Sequence, residues 1–167
     1  FMSSALVLAT LLAVLTKESG ALLPVMVLVL EATLLTPPSQ IASFRWRAWS
    51  AIFLLAPTLL VLAFLISQAS YPENMVMRRG FTVSERLLTE SRILWEYLIN
   101  AFIARPGQYG PFHDSYQVAR TLLEPTTLIA VVSWLLLISG AVAWRRRYPV
   151  AAFAVLWFVA GHLLEST

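Results

Sequence analysis

Trp144-Arg145-Arg146-Arg147-Tyr148 separates two apolar stretches, and a hydrocarbon layer does not admit three adjacent guanidinium groups. Flanked by Trp and Tyr and with no acid nearby, this collar has the character of a cytoplasmic anchor at a bilayer surface. The apolar content points the same way: 59% of the residues are hydrophobic and 13% charged, whereas soluble domains are about one quarter charged. A soluble chain of this size buries only about 70% of what it could expose, so lipid must cover the rest. The chain therefore reads as an all-α integral membrane protein.

Five apolar runs can be distinguished, at 1–16, 21–35, 49–70, 126–144 and 149–164. A crossing helix needs roughly 20 residues, or about 17 when its flanks snorkel. The third and fourth runs meet this easily, whereas the second and fifth are short. Pro24 and Glu31 fall in the second run and Pro57 in the third, as in segments that line a cavity or are partly re-entrant. A crossing at every run can be tested against charge. It gathers Arg45, Arg47, Arg145, Arg146 and Arg147 on one side without a single acid, while the 71–125 loop on the other side balances six arginines with six acids. Unbalanced basic loops lie in the cytoplasm, so loop 71–125 is predicted to be periplasmic or lumenal. The net charge of +3 then follows from topology, and no nucleic-acid partner is expected.

Within the loop, Val83, Leu87, Leu94, Leu98 and Phe102 recur at helical spacing, with Glu85, Thr89, Arg92, Glu96 and Asn100 on the opposite stripe. Thr82-Val83-Ser84-Glu85 fits a capping box, and Arg105-Pro106-Gly107 ends the helix near Ala104. Such a helix lies in the outer membrane interface or packs on the bundle as a lid. Pro106 to Glu124 reads as a loop.

The polar residues that could carry chemistry fall mostly on the same outer side. Lys17-Glu18-Ser19-Gly20 is a wet hairpin on the plain reading. On the functional one, Lys17 is a compact point charge for a phosphate-bearing lipid, with Glu18 beside it. His113-Asp114 either caps a turn or relays a proton, binds a metal or holds a sugar hydroxyl. His162 and Glu165 are three apart and share a helix face. Glu31, a carboxylate inside an apolar run, requires a partner, for which Arg45 or Arg47 is expected. The chain has no cysteine, which excludes disulfides and thiolate metal sites. No phosphate-cradling loop, nucleophile elbow or zinc signature occurs.

Lys17-Glu18-Ser19-Gly20 with Leu22-Leu23-Pro24, the stretch Glu85-Arg86-Leu87-Leu88-Thr89-Glu90-Ser91-Arg92, and Trp157-Phe158 with Gly161-His162-Leu163-Leu164-Glu165-Ser166-Thr167 together resemble the membrane part of bacterial transmembrane-and-tetratricopeptide O-mannosyltransferases. These belong to the GT-C class of polyprenyl-phosphate-sugar-dependent glycosyltransferases. The resemblance implies a bacterial inner-membrane enzyme that moves a sugar from a polyprenyl-phosphate donor to a protein or glycan acceptor, with a divalent metal as the candidate cofactor. It implies an outer cavity lined by Lys17, Glu18, Arg105, His113, Asp114, His162 and Glu165, and a catalytic acid in a first outer loop that lies before Phe1. The apolar opening at Phe1-Met2 and the stop at Thr167 predict a piece of a longer protein. Two other readings remain: a non-catalytic accessory or scaffold subunit of a larger membrane complex, and a transporter, for which no inverted repeat is found.

Overall fold

A computed structural model describes residues 2–35, 43–69, 80–103 and 117–163, and every element among them is a helix. The first helix, α1, covers Met2–Thr16 and stops where Lys17 turns extended at φ −155° and ψ 142°. The second, α2, is continuous over Glu18–Leu35. It opens as a 3-10 turn at Glu18–Leu22, continues as α-helix over Leu23–Leu30, and widens to a π-turn at Glu31–Leu35. Pro24 is therefore no break, because it occupies the first α turn, where a missing N–H is tolerated. The run is one helix rather than two fragments.

The third helix, α3, runs over 44–69, five residues earlier than the apolar pattern alone suggests. Ser43 caps it, its hydroxyl accepting from the Trp46 amide. Its middle is a π-turn, Ala51–Leu55, just before Pro57. The proline ring crowds the carbonyl four residues back, and the widened turn relieves this without ending the helix. The Thr58 hydroxyl donates to the Leu54 carbonyl at 2.7 Å, and in α2 Thr33 donates in the same way to Val29 at 2.7 Å. Each hydroxyl thus serves a carbonyl where the ladder is irregular.

The remaining helices are α4 (Val83–Phe102), α5 (Pro125–Trp144) and α6 (Pro149–His162). Three segments are long and apolar enough to cross a membrane: Glu18–Leu35, Phe44–Ser67 and Pro125–Trp144. Ser3–Thr16 and Pro149–His162 are apolar but shorter. Large side chains such as Leu15, Leu60, Phe64, Leu135 and Leu136 are exposed along these helices, as befits an integral membrane protein whose surrounding solvent is lipid.

The chain forms two compact units, residues 1–70 with 137–165 and residues 71–136. In the first, Leu22 and Val25 near the start of α2 pack with Ala160 and Leu163 near the end of α6. The π-turn that ends α2 packs on α6 as well, so the two helices run antiparallel. At its start α1 is tied to α3, the Trp49 indole donating to Ser3 Oγ at 2.8 Å. At its end it folds back on α2 so closely that a Cβ on Gly20 would collide with the Ala13 carbonyl. This first unit thus has two distinct ends.

In the second unit α4 begins with the expected capping box: Thr82 Oγ1 accepts from the Glu85 amide at 3.1 Å, and Glu85 accepts from the Thr82 amide at 2.7 Å. The packing face of α4 differs from the apolar stripe. Thr89, placed by its spacing on the polar side, is buried, its hydroxyl accepting from the Ala119 amide at 2.8 Å and donating to the Glu85 carbonyl at 2.7 Å. Trp95 and Trp134 pack with ring centroids 4.6 Å apart; Trp95 donates to the Ala130 carbonyl and Trp134 to that of Ser91. Leu87 and Phe102, on the apolar stripe, stay exposed.

Candidate functional site

One end of the first unit gathers a lysine, a carboxylate and an imidazole. The extended backbone at Lys17 and the close approach of Gly20 to Ala13 hold the Lys17-Glu18 turn against α1, with Lys17 and Glu18 exposed. Leu22, four residues beyond Glu18, belongs to the same apolar cluster as Ala160, two residues before His162. The turn and His162 therefore lie at the same end. The cluster is one of large and small side chains in register, with Met26 filling the space beside Gly161.

His162 is half-buried, its ring against Phe158 with centroids 4.5 Å apart. Its Nδ1 stands 2.8 Å from the Phe158 carbonyl oxygen, which can only accept. In the neutral ring the proton is thus on Nδ1, and the lone pair belongs to Nε2. A lysine ammonium, a carboxylate and an imidazole nitrogen at one helix-bundle mouth are suited to holding a phosphate and moving a hydroxyl proton.

The opposite end is organised around Glu31. Its Oε1 accepts from the Trp46 indole at 2.7 Å, and the Ser50 hydroxyl lies 2.7 Å from Oε1 and 2.6 Å from Oε2. Arg45 or Arg47 was the partner expected from the sequence. Its oxygens instead meet an indole and a hydroxyl from the first two turns of α3, because Trp46 and Ser50 lie on the face of that helix turned to α2, while both arginines are exposed. A tryptophan three residues after a serine cap, beside a carboxylate-bearing helix, was the available signal for this arrangement.

The collar arginines also take defined places. Arg145 donates to the Val142 carbonyl at 2.7 Å, closing the end of α5, and the Arg147 guanidinium lies 5.5 Å from the Tyr148 ring centroid. Arg146 is exposed. Of the remaining sequence candidates, Arg105, His113, Asp114 and Glu165 lie outside the described residues. Among the described residues no group of three His, Asp or Glu side chains could hold a metal ion, so a divalent cation has no ligand set at Glu18 and His162 alone.

A separate polar node in the second unit escaped the sequence reading. Glu124 precedes α5 and accepts from the amides of Arg120 at 2.9 Å and Thr121 at 3.3 Å, with Arg92 3.8 Å away. The Arg120 amide is the largest of several causes that hold the Glu124 carboxyl below its ordinary value, with desolvation opposing. The Thr82 backbone amide does the same for Glu85.

No protein-family model, curated protein or solved structure matches the chain.

Proposed function

We propose that the chain is part of a GT-C-like membrane glycosyltransferase that moves a sugar from a polyprenyl-phosphate donor to a protein or glycan acceptor on the outer face. The observation that carries this reading is the placement of Lys17, Glu18 and His162 at one end of the first unit, opposite the end that bears Glu31, Arg45 and Arg47. In this reading all five apolar runs cross the bilayer, the arginine end is cytoplasmic, and loop 71–125 is periplasmic in a bacterial inner membrane.

The helix α4 lies in the outer interface. Support comes from depth: α5 is 20 residues long, about the 30 Å of a hydrocarbon layer. Trp95 binds the carbonyl of Ala130, five residues or about 7.5 Å along that axis. An amphipathic helix beds at about 5–10 Å into the boundary.

For transfer, the acceptor O–H bond breaks as oxygen attacks the anomeric carbon, and the bond from that carbon to the phosphate oxygen breaks with its electron pair. Lys17 holds the departing phosphate, and Glu18 or the Nε2 lone pair of His162 receives the acceptor proton. Lys17→Ala, Glu18→Ala and His162→Ala in the full-length protein are each expected to slow transfer from a polyprenyl-phosphate sugar. Loss of the phosphate-holding charge should cost about 10²–10³-fold. Undiminished transfer in all three variants would remove this end from the site.

A second reading, a non-catalytic subunit of a larger membrane complex, is favoured by one observation. Among the described residues Glu18 is the lone carboxylate at this end, and it is exposed. Stable co-purification with other membrane proteins, with no bound polyprenyl phosphate, would support that subunit.

A further inference from the structure

The arginine end of the first unit carries four guanidinium groups that no ion pair among the described residues neutralises. Glu31 is the acid there among the described residues, and its oxygens already accept from Trp46 and Ser50. Among the described residues none of Arg45, Arg47, Arg146 and Arg147 forms an ion pair, and all four are exposed. Two helix N-termini add to the field, since α3 begins at Phe44 and α6 at Pro149 and both point their positive ends this way. The negative end of α5 is already closed by Arg145. The π-turn at Glu31–Leu35 is flanked by both basic groups, because it meets α3 through Glu31 and packs on α6.

Aromatic rings flank these arginines along the chain. Phe44 is 85% exposed and Tyr148 56%, while Trp46 and Trp49 stack with centroids 5.1 Å apart beside them. Rings of this kind sit at headgroup level. A guanidinium fork held at that level faces phosphodiesters, which it matches in charge and geometry.

We propose that this end is a docking site for anionic phospholipid headgroups, with their phosphates seated on Arg45 and Arg47 and on Arg146 and Arg147. The site requires membrane residence and is independent of sugar transfer, so failure of the transferase reading leaves it standing. Each basic residue near an anionic surface contributes about fivefold in affinity, and the interaction weakens with salt.

The test uses the full-length protein equilibrated with mixed phosphatidylglycerol and phosphatidylcholine vesicles, followed by quantification of co-retained lipid. Phosphatidylglycerol should be enriched about tenfold or more over the bulk ratio, and less so at high ionic strength. The quadruple variant R45Q/R47Q/R146Q/R147Q should fall to the bulk ratio, and the corresponding quadruple lysine variant should keep most of the enrichment. Four results overturn the site: wild-type enrichment no different from bulk, a glutamine variant that retains it, a lysine variant as poor as the glutamine one, or its abolition by millimolar inorganic phosphate, which would indicate a free-anion site.

Discussion

The two units are held together by different chemistry. The first relies on apolar contacts among Leu22, Val25, Ala160 and their neighbours, and its one internal carboxylate is served by neutral donors. The second is pinned by polar and aromatic locks: the Thr82–Glu85 box, the Thr89 latch on Ala119, the Glu124 cap and the Trp95–Trp134 pair. The difference follows from the surroundings. A helix bathed in lipid gains nothing from hydrophobic collapse against its neighbours, so close packing and occasional hydrogen bonds hold it. The caps at Thr82 and ahead of α5 lie outside the long apolar helices and can use charge, because water solvates whatever they leave open. Polar residues accordingly differ in kind: in the first unit hydroxyls relieve irregular turns and neutral donors tie α3 to α1 and α2, whereas in the second carboxylates cap helix starts.

The sharpest way to break this contrast is Trp134→Ala. It removes a ring packed on Trp95 and the donor to the Ser91 carbonyl, and it should cost about 3–5 kcal/mol. Amide exchange across α4 would rise strongly while α2 and α6 stay protected; equal deprotection of both units would show that they are one cooperative body. Glu31→Ala comes next. It strands the Trp46 indole and should lower stability by about 2–3 kcal/mol, read as a lower thermal midpoint in detergent. Arg45→Gln should change that midpoint by the equivalent of less than about 0.5 kcal/mol. A larger effect for Arg45 would restore arginine as the partner of Glu31. Thr89→Val keeps shape and removes the latch, at about 1–2 kcal/mol, with exchange rising first at the Ala119 amide.

Much of the helical layout was legible because apolar runs and caps are local signals. The capping box at Thr82 and Glu85, the collar at Arg145–Arg147 and the α5 limits could be read directly from residue order. Pro24 and Pro57 left the course of their runs open, since a proline is tolerated when a 3-10 or π turn beside it adjusts the backbone, and turn type leaves little trace in composition. The partners of Glu31 and the burial of Thr89 were hidden for another reason. Both depend on which face of a helix meets its neighbour, and periodicity ranks faces by polarity alone. On α4 a threonine and two backbone carbonyls lie within the contact surface, and the most apolar stripe does not. At the candidate site, Lys17, Glu18 and His162 were grouped in the sequence by assuming a crossing at every apolar run, whereas their position at one end of the first unit and the Nδ1 bond of His162 required coordinates.

The smallest expected effect is also the most specific to one unit. Glu85 and Glu124 both have carboxyls held below the ordinary value of 4.5, chiefly by backbone amides of Thr82 and Arg120 respectively. A group whose folded pKa is depressed adds stability above its unfolded pKa and loses it as pH falls through the folded one. Between pH 6 and 5 neither group changes charge and no loosening is expected. Below about 4.5 the unfolded chain takes up protons first and the caps weaken, so α4 and the 117–124 segment should open before the first unit responds. Amide-exchange rates across α4 and 117–124, followed from pH 6 to 3 after correction for intrinsic exchange, should shift upward in wild type, and Glu124→Gln should flatten the profile. A shift of equal size in that variant would mean the acid response arises elsewhere, and the assignment of charge-based locking to the second unit would fail with it.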